Sequence, residues 1–464
     1  MTNQEPVRDA RTLGVPKMLL LGLQHMFAMF GATVLVPILV NNYGLPLSIQ
    51  TTLFFAGIGT LFFHVCTRLK VPAFLGSSFA FLGGFEAVSK LDSGKYAAME
   101  ASEKLQYACG GIVVAGLLYV VLAGVIKLVG VKKVMRFLPP VVTGPIIILI
   151  GLNLAPSAVN NAKTCWWLAL VAMGIIVVAN IWGKGMIKII PILLGVVGSY
   201  VIAVIANALG AQAWDFSGAE PVKVALMNFT TVAQSSPIGF QPFFTDFGGS
   251  IAKFDLTSIL VMAPIAIAAM MEHIGDMSAI SATVGEDFLS DPGLHRTLIG
   301  DGIATSLSAL FGGPANTTYG ENTGVLVLSK VYDPKVIRLA AVYALVLSFS
   351  PMFAAVVNSM PAAIVGGVSF ILYGMISAIG VRNVVENRVD FTNSRNLIIA
   401  AVILVCGLGF SGGLTFQVGG ASITLTALAI AAIAGIVLNA ILPGKDYEFG
   451  SDVTDGRSAD FGRY

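Results

Sequence analysis

Apolar residues in this chain fall in long blocks separated by short polar loops. A helix needs about 20 predominantly apolar residues to cross a bilayer. Blocks of that kind, some of them short, occupy residues 18–40, 52–66, 105–129, 140–154, 166–181, 187–208, 256–283, 298–311, 336–357, 362–378, 397–409 and 422–442. Two further apolar stretches, 71–89 and 316–331, are interrupted by Gly, Ser, Thr and Asn. Broken backbone is tolerated at membrane depth only where protein buries it or where it lines a cavity. If both interrupted stretches cross, the pattern predicts an all-α polytopic membrane protein with fourteen transmembrane segments.

Loop charge tests that number. With the N-terminus inside and fourteen crossings, 21 of the 27 Lys and Arg residues fall inside. Lys90, Lys95, Lys104, Lys163, Lys223 and Lys253 fall outside, and no Arg does. That bias agrees with the positive-inside rule and places both termini in the cytoplasm. The interrupted stretches are the third and tenth segments, so each is third in a set of seven. Seven is odd, and the second set must therefore run inverted. Matching interrupted segments in inverted halves point to a transporter's midplane site. The expected organisation is a cytoplasmic tail 1–16, a first repeat 17–209, an extracytoplasmic linker 210–254, a second repeat 255–444 and a cytoplasmic tail 445–464. The first tail lacks the apolar core of a cleavable signal, so the first block is expected to remain as a span.

Composition narrows the chemistry. The chain of 464 residues is 56% hydrophobic and only 11% charged, and its 51 glycines suit close helix packing in lipid. Cys66, Cys109, Cys165 and Cys406 have no metal-ligand spacing and read as packing residues. No phosphate-binding loop of the G-x-x-x-x-G-K-[ST] type, zinc motif or nucleophile elbow is present. An ATP-driven pump and a membrane enzyme are therefore disfavoured, no resident cofactor is expected, and nothing points to nucleic acid.

Intramembrane ionisable residues are functional candidates because burying them is costly. Glu272 and Asp276 are four apart in the eighth segment, so a helix puts both on one face. Asp276 could instead be solvated at a protruding helix end. His273 lies between them on another face, as a packing or supporting residue. Glu321, with Asn322 and the backbone around Tyr319 and Gly320, opens a short apolar run where a half-helix would present free N–H groups. Its alternative role is a cap without a ligand. Gly76-Ser77-Ser78-Phe79 in the third segment offers unwound backbone and an aromatic ring. His25 and Asp301 could relay protons or pair with neighbours, and Glu86 could face an outer vestibule. Facing carboxylates suit a proton-coupled carrier, because protonation neutralises them before a loaded site moves.

The run Gly320-Glu321-Asn322-Thr323-Gly324-Val325-Leu326-Val327-Leu328-Ser329-Lys330 resembles the signature of the nucleobase–ascorbate transporter family, also called nucleobase:cation symporter 2. Ser329 stands where that signature usually has Thr. The stretches 23–37, 75–81, 272–275, 291–296 and 366–369 strengthen the match, which covers nearly the whole chain and is closest to the bacterial uracil permeases. The resemblance implies two inverted seven-segment repeats, a core domain (17–130 with 255–358) and a gate domain (131–209 with 359–444) that forms a homodimer. It also implies short antiparallel strands in segments 3 and 10. By the same resemblance, a base is bound by Glu272, Glu321 and the backbone of Phe79 and Gly320, and Asp276 and Tyr319 are expected to complete the substrate-binding set. Glu321 and Glu272 would carry the coupling proton, and His25 would support Glu321 through a hydrogen-bonded chain. Asn322, His273 and Asp301 would have supporting roles. Uracil is the first candidate substrate, imported with protons across a bacterial-type cytoplasmic membrane whose lipid surrounds the carrier. Asp276, where uracil permeases often have His, and Asp301 resemble the xanthine and uric-acid branch instead. An anion exchanger or channel on a related fold is the rival from another class.

Overall fold

The computed structural model describes residues 6–92, 94–216, 220–239, 247, 250–418 and 421–444. Side chains at 94, 186, 189, 321, 417–418 and 421–423, and the tail assigned to 445–464, lie outside that description. Among the described residues, seven helices are long and apolar enough to cross a membrane. They are Val15–Asn42, Ile49–Cys66, Ala101–Val129, Pro140–Ala162, Pro191–Ala208, Leu256–Val284 and Ala362–Glu386. Shorter apolar helices occupy Phe79–Ser89, Trp166–Ile181, Ser394–Gly409 and Ala427–Ile441. Helices Leu294–Leu310 and Gly320–Ser329 fill the ninth and tenth blocks.

Packing repeats between the two halves. Helix Ala101–Val129 lies on Leu294–Leu310, as Ile49–Cys66 lies on Pro334–Ser348. In block numbers these are four on nine and two on eleven, the same relation with the halves exchanged. Trp166–Ile181 on Pro191–Ala208 likewise matches Ser394–Gly409 on Ala427–Ile441. Among the described residues the most extensive helix contact is between Pro140–Ala162 and Ala362–Glu386, where glycine lets two backbones approach. A Cβ on Gly380 would stand 2.5 Å from the Ile148 nitrogen, and one on Gly151 would stand 2.2 Å from the Tyr373 carbonyl oxygen.

Three local features differ from the sequence expectations. The eleventh block, 336–357, is two helices, Pro334–Ser348 and Pro351–Asn358, bent by 88°. Pro351 supplies no N–H and disfavours helical backbone at Ser350, whose side chain instead caps the second helix by accepting from the Phe353 N–H. Strand is also not confined to segments 3 and 10. A hairpin of Gln212–Asp215 with Val222–Ala225 forms in the linker, and another, Leu414–Val418 with Ala421–Leu425, precedes the last helix. The fourteenth block therefore begins as a strand, and its helix starts at Ala427.

The expected strands are present and find each other. Leu75–Ser77 pairs antiparallel with Asn316–Thr318, in the register Leu75↔Thr318, Gly76↔Thr317, Ser77↔Asn316. Each strand is held from its own half by one threonine. The Thr60 hydroxyl donates to the Leu75 carbonyl (3.2 Å) and accepts from the Leu75 N–H (2.9 Å). The Thr305 hydroxyl does the same for the carbonyl (3.0 Å) and N–H (3.1 Å) of Asn316. Among the described residues these three-residue strands pair only with each other, and a buried hydroxyl satisfies backbone on the outer edge of each. Thr305→Val preserves volume but strands both backbone groups. It is expected to cost about 1–3 kcal/mol of stability, read as a lowered melting temperature in detergent, with Thr305→Ser largely restoring it.

Candidate transport site

The two strands run directly into helices. Phe79 follows Ser78 and opens the turn and helix that continue to Ser89, and Gly320 follows Tyr319 and opens Gly320–Ser329. Neither Ser78 nor Tyr319 caps the helix that follows it with its side chain, and the first-turn N–H groups of a helix have no intrahelical partner. Cross-links fix the junction. Ser78 N–H donates to the Ala315 carbonyl (2.8 Å) and Tyr319 N–H to the Phe74 carbonyl (3.0 Å). The Tyr319 hydroxyl donates to the Ser77 carbonyl (2.9 Å), and the Ser77 hydroxyl donates to the Thr33 carbonyl (3.0 Å). Two helix N-termini thereby meet across one buried strand pair.

A small cavity lies where they meet. Phe79, Glu272, Asp276, Thr317, Thr318, Tyr319 and Gly320 line it on one side, and Ile147, Ile376 and Ile379 on the other. Helix Ile265–Val284 supplies Glu272 and Asp276 from one face, as their spacing requires. Asp276 is buried, not solvated, and accepts from the Thr318 hydroxyl at 2.8 Å, so it anchors the strand as well as bordering the cavity. The Phe79 ring meets Tyr373 edge-on, centroids 5.9 Å apart. No Lys or Arg is among the described residues lining the cavity. Its chemistry is acceptor oxygens facing N–H donors, bounded by apolar walls.

The remaining sequence candidates divide. Asn322 donates to the His25 carbonyl (3.1 Å) and lies 3.2 Å from His25 Nδ1, joining the first and tenth segments beside the site. Glu321 is in the first turn of Gly320–Ser329, and its side chain lies outside the described residues. His273 and Asp301 do not line the cavity; they pair with each other, Nδ1 to Oδ2 2.8 Å, fully buried between the eighth and ninth segments. Glu86 binds Lys90 one helical turn away. Sequence reasoning passed over Thr33, Thr60, Thr305, Thr317 and Thr318. A threonine in an apolar block reads as packing until its backbone partner is known.

A second cavity, of about 400 Å³, adjoins the first at Gly320 and Ile379. It runs between Phe27 and Ala28 of the first helix, Gly324 and Leu328 of the half-helix, Ile190–Leu193 and Met375–Arg382, with Lys188 and Arg382 also on its wall. The broken segments, the central cavity and the adjoining vestibule define a membrane transporter. Solved structures share this architecture. The transmembrane domain of a cyanobacterium bicarbonate transporter, BicA, aligns with a TM-score of 0.60 at 15% identity, over 94% of this chain and 99% of that one. Murine Slc26a9, an anion transporter in the inward-facing state, aligns with a TM-score of 0.61 at 10% identity, over 92% and 68%. At those identities the likeness concerns the fold.

Sequence relatives go further. A model of the permease family, Xan_ur_permease, matches residues 16–415. The uracil permease of Bacillus caldolyticus is 40% identical over 448 residues, 95% of this chain and 94% of that protein. The uracil permease of Bacillus subtilis (strain 168) is 39% identical over 434 residues, 91% of each. The uracil permease of Escherichia coli (strain K12) is 33% identical over 433 residues, 91% of this chain and 90% of that one. This chain belongs to the permease family and is a multi-pass membrane transporter.

Proposed function

We propose that this chain imports a nucleobase, uracil first, together with protons. One observation carries the reading: Glu272 and Asp276 face the helix starts at Phe79 and Gly320 across a cavity without a basic residue among those described. Uracil presents N–H donors and C=O acceptors around one planar ring. Carboxylates accept from its N–H groups while backbone N–H groups serve its carbonyls, and the apolar walls exclude water. Such a site rejects analogues lacking a matching group, because its own polar atoms would go unpaired. The names of the bacterial relatives support the same substrate.

On this reading all fourteen segments cross, with both termini cytoplasmic. A core (17–130, 255–358) carries the site against a dimeric gate (131–209, 359–444) in an elevator-type movement. The closer packing of helices within each of these groups supports the division. The 400 Å³ vestibule opens between them toward Lys188 and Arg382, the side that charge bias makes cytoplasmic. Glu321 binds the base and takes the coupled proton. Glu321→Gln is expected to leave the melting temperature within a few degrees while uptake loses its response to an imposed proton gradient; undiminished proton-driven uptake would remove Glu321 from coupling.

Two other readings each have an observation behind them. Asp276 in the cavity favours a purine such as xanthine or uric acid. The fold, shared with the bicarbonate transporter BicA and the anion transporter Slc26a9, favours an anion. Two helix N-termini would suit one, but Glu272 and Asp276 oppose a negative charge. Thermal stabilisation of purified protein by uracil, thymine, xanthine, uric acid, adenine, bicarbonate and sulfate separates all three. A native-state ligand raises stability as RT ln(1 + [L]/Kd), so the ranking reads affinity. Uracil is expected to lead; a lead by xanthine or by an anion would replace it.

A further inference from the structure

The N-terminal arm ahead of the first helix is not a free tail. Val7 pairs in parallel with Val331: its N–H donates to the Lys330 carbonyl, and its carbonyl accepts from the Tyr332 N–H, both at 2.9 Å. The Ala10 N–H donates to the buried Asp333 carboxylate at 2.8 Å. Ala10, Val331 and Val336 form a small core of their own, covered by Val7, Leu13, Met18 and Leu21. Lys335 bridges Asp9 and Asp333 at 3.2 and 3.3 Å. Bonds from Arg11 and then Lys335 hold the Asp9 carboxyl well below the usual range, so it stays charged for the bridge. Arg8 reaches the other way, donating to the Val284 carbonyl (3.1 Å) and pairing with Glu286.

These attachments have a common feature. Val284 is the last residue of the helix that carries Glu272, and Lys330 caps the half-helix that carries Glu321. At 1.5 Å per residue the grips lie about 18 Å and about 14 Å along the helix axes from positions 272 and 321. The half-helix needs such a grip. It has only ten residues, follows a three-residue strand, and ends in a left-handed Lys330. An isolated helix of that length is marginal.

We infer that the arm Val7–Ala10 is a positioning element that clamps the far ends of the two carboxylate-bearing helices and so fixes the separation of Glu272 and Glu321. The link to substrate rests on the nucleobase reading above; the clamp itself rests on the contacts alone. Val7→Pro removes the N–H given to Lys330, and Arg8→Ala releases Val284 and Glu286, while neither residue lies in the site. Asp333→Asn keeps an acceptor oxygen for Ala10 and serves as the conservative control for Asp333→Ala.

The test has two readouts on the full chain in detergent. Amide hydrogen exchange at 320–330 and 278–285 is expected to rise at least severalfold in Val7→Pro and Arg8→Ala, with exchange in Pro140–Ala162 unchanged. The Kd for uracil is expected to weaken severalfold in the same variants, with the ligand-free melting temperature nearly constant and Asp333→Asn close to wild type. Unchanged exchange at both helix ends overturns the clamp, whatever the ligand does. Faster exchange with an unchanged uracil Kd overturns the positioning role. A wild type that binds no base defeats the nucleobase reading, and exchange still decides the clamp.

Discussion

Glu272→Ala is expected to weaken uracil binding by about 10- to 150-fold and to reduce uptake to background at low substrate. The range follows from the loss of one hydrogen bond to a charged acceptor, about 1.5–3 kcal/mol. Glu272 projects from the middle of Ile265–Val284 into the cavity, next to Asp276 and opposite Gly320. Asp276 cannot take over fully, because one of its oxygens already accepts from Thr318 at 2.8 Å. Glu272→Gln retains an acceptor but turns an NH2 group toward an N–H donor, and should fall between wild type and alanine. Isothermal titration with uracil reads all three. A Kd within threefold of wild type in Glu272→Ala would remove this residue from base recognition and move the site elsewhere in the cavity.

Gly76→Ala is expected to be the most damaging single methyl in the broken segments. A Cβ there would stand 2.4 Å from Tyr319 Cζ, 2.5 Å from its Cε2 and 2.7 Å from the Thr33 hydroxyl. None of these can retreat cheaply. The Tyr319 ring is buried and its hydroxyl is committed to the Ser77 carbonyl, while Thr33 sits in the packed middle of the first helix. Overpacking of this kind costs about 1–3 kcal/mol, and here it also pushes apart the strands that place Phe79 and Gly320. A melting temperature lowered by several degrees, with uracil binding lost, is the expected pair of results. Gly83→Ala is the control, since a Cβ at Gly83 meets nothing within 4 Å. Equal behaviour of the two variants would show that strand spacing does not govern the site.

The His273–Asp301 pair shows how far residue spacing carries. Both residues stand out in apolar blocks as ionisable, and both are fully buried. Yet Asp301 reaches His273 at 2.8 Å, between the eighth and ninth helices, while Glu272 and Asp276 on the neighbouring face reach the cavity. Helical periodicity separates His273 from the two carboxylates but does not say which face looks into a cavity. That depends on which helices stand on either side.

Much of this protein is determined by sequence alone. Apolar blocks of bilayer length need no tertiary information, because a helix satisfies its own backbone in lipid. The same holds for the interrupted blocks at 71–89 and 316–331, and for Glu272 and Asp276 sharing a face. The tertiary structure decided what joins residues far apart in the chain. Leu75–Ser77 finds Asn316–Thr318 some 240 residues away. Thr60 and Thr305 become backbone anchors. A tail that reads as plain polar sequence closes over Val331 and Asp333. The bend at Ser350 and Pro351 falls between, since Pro351 marks the position but not the angle of 88°. The reason is common to all of them. A hydrogen bond between distant segments leaves no periodic trace in either, whereas burial in lipid imposes its pattern on every turn of a helix.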